Sequence, residues 1–91
     1  MTMANLWKGT IENKDTWEKF TTISGVSLTD DTKYSMQILG ACWLCESATE
    51  PSDNDGFLIK NDPRPFGFVK KSGADLYVRA NSEYCTLNIA E

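Results

Sequence analysis

From Leu6 to Ile89, short runs of alternating apolar and polar residues follow one another, separated every few positions by Gly, Pro, Asn, Asp or Ser. Spacing of that regularity predicts an all-β fold, a small antiparallel β-sandwich or a jelly-roll-like barrel. The clearest strand is Lys33–Leu39, where Tyr34, Met36 and Ile38 face one way and Lys33, Ser35 and Gln37 the other. In Ala41–Ser47, Cys42, Leu44 and Glu46 share one face while Trp43 and Cys45 share the other, which predicts a strand covered on both sides for part of its length. Further strands are expected over residues 6–13, Phe57–Lys60, Phe66–Val69 and residues 75–79, the last with Leu76 and Val78 inward and Tyr77 outward. Val26 and Leu28 form a brief alternating segment. The final strand, residues 84–90, puts Cys85, Leu87 and Ile89 on the core face.

One segment carries two patterns. Trp17, Phe20 and Ile23 are spaced by threes, which suits a helical face that Asp15 or Thr16 could cap. Thr16, Thr21 and Thr22 favour a strand with a bulge, and residues 17–23 are read here as that strand. No repeat, low-complexity stretch or long linker divides the chain, so residues 1–91 are expected to form one domain, with residues 1–5 a loose or partner-bound arm.

Composition narrows the function classes. A chain of 91 residues buries only about 60 to 65% of its unfolded surface, so oligomerising or docking is an expected source of stability. Thirteen acidic against nine basic side chains give a net charge of −4, which disfavours nucleic acid as a partner. The nine basic residues are scattered, Lys70 and Lys71 being the one adjacent pair, in the pattern of a solvated surface. The first residues have neither the basic start nor the apolar run of a signal peptide, and no stretch reaches the roughly 20 apolar residues of a membrane span. The expectation is a cytosolic site of synthesis and no membrane partner.

The chain has no histidine, which removes the commonest general base, the commonest metal ligand and the usual activator of a Ser or Cys nucleophile. Cys42 and Cys45 have C-x-x-C spacing, which invites a redox or zinc reading. A redox pair, however, belongs at a helix N-terminus, and a structural zinc site needs four ligands, whereas only Cys85 remains as a third sulfur. The three cysteines are therefore expected to be free, mostly buried thiols in a reducing compartment, without disulfide or metal. Asp53, Asn54, Asp55 and Gly56 resemble part of a calcium loop but lack its third acidic position and bidentate glutamate, so they read as an acidic turn. Carboxylates such as Asp30 or Asp31 with Asp53 or Asp55 could pair in space, but all lie in turns where acids are expected anyway. With no phosphate cradle and no serine elbow, no enzyme and no cofactor is expected. Trp7, Trp17, Trp43 and Tyr77 are the candidate interface residues; together with Tyr34 and Tyr84 they supply either core and subunit contacts or a sugar-stacking platform.

The order of features from Trp17 onward resembles that of small β-rich tailed-phage virion proteins. Gly25, Val26, Ser27, Leu28 and Thr29, followed by Tyr34, Ser35, Met36 and Gln37, look like their "G-x-x-L-T … Y-x-x-Q" approach to a central strand. Glu46, Ser47, Ala48, Thr49, Glu50 and Pro51 resemble an "E-S-A-x-x-P" edge. Leu76, Tyr77, Val78, Arg79 and Ala80, then Leu87, Asn88, Ile89, Ala90 and Glu91, resemble an "L-Y-V-R-A … L-x-I-x-E" close. The cysteines and the Asp62 to Pro65 corner depart from that pattern. The resemblance implies a capsid-decoration protein or a tail or fibre domain, a homo-oligomer in contact with other virion proteins, assembled in the host cytoplasm. It carries over no catalytic residue. The alternatives from other classes are a carbohydrate-binding module and a small phage-encoded cytosolic regulator or inhibitor.

Overall fold

In a computed structural model of the chain, which describes residues 5–52, 55–60, 62–81 and 85–91, two four-stranded antiparallel sheets pack face to face as a β-sandwich. The elements are β1 (Asn5–Ile11), β2 (Glu18–Lys19), α1 (Phe20–Ser24), β3 (Lys33–Leu39), β4 (Ala41–Ser47), β5 (Phe57–Lys60), β6 (Phe66–Val69), β7 (Asp75–Ala80) and β8 (Cys85–Ala90). One sheet has the order β1-β8-β3-β6 and the other β2-β7-β4-β5.

Period-2 alternation builds the core directly. Ile11, Tyr34, Met36, Ile38, Cys85, Leu87 and Ile89 from the first sheet meet Cys42, Leu44, Leu76, Val78 and Ala80 from the second, and all are buried. The terminal strand β8 lies between β1 and β3, with Leu87 opposite Gly9 on one side and Ile38 on the other. Its alternation is that of an interior strand, and Cys85, Leu87 and Ile89 are buried as expected. Tyr84, which the sequence includes in that strand, lies outside the described residues.

Residues 17–23 do not form the strand expected of them. Two residues, Glu18 and Lys19, pair with Val78 and Tyr77, and the chain then turns into α1. The three-residue spacing prevails because it lets Phe20 enter the core while Ile23 packs against it, a burial that outweighs the modest helix penalty of Thr21 and Thr22. The helix ends where Gly25, at φ 74°, donates its N–H to Thr21 O, and Ser24 Oγ donates back to Phe20 O at 2.8 Å. Val26 and Leu28 follow outside any sheet, partly buried against the core. Asn5, placed by the sequence in an N-terminal arm, belongs to β1 and pairs with Ala90. The remainder of that expected arm lies outside the described residues.

The basic residues are not all on a solvated surface. Lys70 is only 8% exposed, and its ammonium sits 2.7 Å from Asp30 Oδ1 while also donating to Lys71 O. The backbones of the same two segments join, Asp31 N–H to Lys70 O and Lys70 N–H to Thr32 O, so the cation is held where two loops meet. A buried lysine is tolerated there because a carboxylate and a carbonyl replace its water.

Candidate functional site

The four aromatic residues singled out by the sequence do not form one surface. Trp7 packs on the core side, edge-on to Phe20 with ring centroids 5.4 Å apart and planes at 88°. The other three lie on or against the opposite, outer face of the second sheet. Trp43 and Cys45 on β4 stand beside Arg79 and Tyr77 on β7, in register. Arg79 lies between two indoles, its guanidinium carbon 5.1 Å from the Trp17 ring centroid and 5.4 Å from that of Trp43. The Trp17 indole N–H donates to Ser52 O at 3.0 Å, and the Trp43 indole N–H to Asn81 Oδ1 at 3.3 Å.

This outer face therefore carries a second apolar layer. Trp17 is 4% exposed and Tyr77 6%. The outward orientation expected of Tyr77 holds as a side of the sheet, but not as exposure to solvent. Its cross-strand neighbours, Lys19 and Cys45, come from distant parts of the chain, and alternation within β7 cannot report its burial. The double coverage expected of β4 is present at Trp43, which is half-buried.

The apolar surface that does face solvent is elsewhere. Phe57 is 79% exposed, Val69 50% and Leu58 40%, with Leu39 on β3 and Leu6 on β1 exposed singly away from them. Phe57 and Leu58 belong to β5, which pairs only with β4, and Val69 to β6, which pairs only with β3, so both strands are sheet edges. Between these edges the sandwich opens into a cleft of about 790 Å³ whose apolar walls are Leu44, Phe57, Ile59, Phe66, Phe68 and Leu76. At its rim Glu46 accepts the Lys71 backbone N–H at 2.8 Å. Sequence reasoning placed β5 and β6 but passed over this edge. Pro63 and Pro65, which the sequence reads as a rigid corner because two prolines so close cannot both sit in a central ladder, stand between two four-residue apolar strands and carry the signal for the edge as well.

Charge near the cleft is locally neutralised. In the corner after β5, Arg64 donates to both oxygens of Asp62 at 2.9 and 3.0 Å, and this partner holds the Asp62 carboxyl at a pKa of about 2. In the loop before β5, Asp55 accepts from the Ser52 backbone N–H and hydroxyl, which also lowers its pKa. Asp53 and Asn54, the first half of the acidic turn weighed as a cation loop, lie outside the described residues. Among the described residues no group of three or more His, Cys, Asp or Glu is placed to hold a metal ion, and no helix is long and apolar enough to cross a membrane.

Searches of protein families, curated proteins and solved structures found no match for this chain.

Proposed function

We propose that this chain is a non-enzymatic structural component of a phage particle, joining other copies of itself and other virion proteins through the apolar edge formed by β5 and β6. The observation that carries the assembly part of this reading is the exposure of Phe57, Leu58 and Val69 on two edge strands, each paired on one side, beside an apolar cleft. Soluble domains blunt their edges with charge, proline or bulges, and a large apolar side chain held in solvent at an edge suits contact with another chain. The particle setting rests on the resemblance to small tailed-phage virion proteins. Of its segments, 34–37 lies on β3, 76–80 on β7 and 87–90 on β8, Glu46 and Ser47 end β4, and 25–29 lies outside any sheet; none falls on β5 or β6, so the reading leaves that edge for partners.

The same edge supports one other reading, a small regulator or inhibitor that docks on a host protein as a monomer. A glycan platform has less support, because Trp17 and Tyr77 are buried and Arg79 lies over the Trp43 ring. Sedimentation at micromolar concentration, with mass spectrometry of purified particles, separates the readings. Self-association and presence in the particle are expected. A monomer absent from particles overturns the virion reading and favours the regulator.

A further inference from the structure

The sandwich brings together two cysteines that lie 43 positions apart in the chain, Cys42 and Cys85. Cys42, the second residue of β4, is in register with Ala80, the last residue of β7. Cys85, five positions after Ala80, is the first residue of β8 in the opposite sheet. The chain thus leaves one sheet beside Cys42 and enters the other at Cys85. Both side chains face inward, are essentially fully buried and belong to the same core cluster, where each thiol is the other's main electrostatic neighbour; Cys42 Sγ donates to Trp43 O at 3.5 Å. Cys45, three residues after Cys42, projects from the other side of β4 and has no part in the pair.

We propose that Cys42 and Cys85 are a latent inter-sheet disulfide, a dithiol under reducing conditions that closes when the protein equilibrates with a disulfide reagent. The chemistry is two exchange steps. The Cys85 thiolate attacks a low-molecular-weight disulfide, forming a mixed disulfide and expelling one reagent thiolate. The Cys42 thiolate then attacks the Cys85 sulfur and expels the second. The protein loses two protons and two electrons, and the reagent disulfide takes them up to become two thiols. The order follows from the two environments: the neighbouring Cys42 thiol lowers the pKa of Cys85, while Cys42 is driven upward by Cys85 and by burial. Since neither sulfur is exposed, exchange waits on local opening of the sheets and is slow in native buffer, faster in mild denaturant.

The test is equilibration of the full chain, and of a Cys45→Ala variant, in glutathione buffers from reducing to oxidising, with and without mild urea. Free thiols are then alkylated for intact mass, peptide mapping and thermal melting. Expected are the loss of two hydrogens in both proteins, one crosslinked peptide pair joining Cys42 to Cys85, and alkylated Cys45 in the unmutated chain. The melting temperature should rise on the order of 10 °C, since the bond closes a long loop of the unfolded chain. The proposal is overturned if both Cys42 and Cys85 remain alkylatable after oxidising equilibration in mild urea. It is equally overturned if the bond runs through Cys45 and vanishes in the Cys45→Ala protein, or if the crosslinked protein melts lower than the dithiol.

Discussion

Arg79 and Trp43 are cross-strand neighbours on β7 and β4, with the guanidinium 5.4 Å from the indole centroid, and the Trp17 ring completes a stack around the same cation. This stack joins the segment before β2 to the outer face of the sheet, so the cation contributes packing as well as charge.

Replacing Arg79 with Ala should cost about 2 kcal/mol, given two desolvated ring contacts. Arg79→Lys should recover only part of that, because an ammonium cannot lie flat between two indoles. Urea unfolding followed by tryptophan fluorescence measures both, and equal stability of the Ala variant and the parent would refute a structural role for the stack.

Leu87 is fully buried on an interior strand, so Leu87→Ala should cost about 2–4 kcal/mol, a large share of a small domain's stability. Removing residues 84–91 deletes the strand between β1 and β3 and should abolish the cooperative melt. Calorimetry decides this: a truncated chain melting near the parent temperature would make β8 an exchangeable arm.

Gly56 precedes β5 at φ 87°, and a Cβ there would overlap the Leu44 carbonyl oxygen and come within 2.9 Å of Cys45 Cβ. Gly56→Ala should therefore destabilise by about 2 kcal/mol or more, combining left-handed strain with a backbone clash. At Gly25 the φ is also positive but the space is open, so Gly25→Ala should cost only about 1 kcal/mol. Parallel urea titrations of the two variants test the difference.

Two ion pairs give pH dependences of opposite sign. Asp62 is depressed to about 2 by Arg64, so its stabilising contribution is present above the ordinary carboxylate value of 3.8 and is lost as pH falls through about 2. An NMR titration should find the Asp62 midpoint there, returning toward the ordinary value in Arg64→Ala. Lys70 is raised by its hydrogen bond to Asp30, so its contribution is intact below the ordinary 10.5 and is lost as pH rises through the higher folded value. Asp30→Asn should remove the alkaline dependence, as read from melting temperatures across that range.

Phe57→Asp places a charge on the exposed edge without touching the interior of the sandwich. Self-association in sedimentation should weaken at least tenfold while the melt of the monomer stays within a few degrees, since exposed substitutions rarely change stability by more than about 0.5 kcal/mol. Unchanged association would remove the β5–β6 edge from the proposed interface.

What the sequence determined by itself is what local periodicity encodes. Alternation at Tyr34, Met36 and Ile38, at Leu76 and Val78, and at Cys85, Leu87 and Ile89 identified the strands and their buried faces, because a strand puts every second side chain on one side wherever it lies. Tertiary structure decided what that period cannot express. Whether residues 17–23 became strand or helix depended on a core pocket for Phe20, and whether Lys70 met solvent depended on Asp30, 40 residues away. The exposure of Phe57 followed from β5 having no strand beyond it, and the meeting of Cys42 and Cys85 followed from two sheets facing each other. Each of these turns on residues far apart in the chain, which meet or fail to meet only in the folded protein.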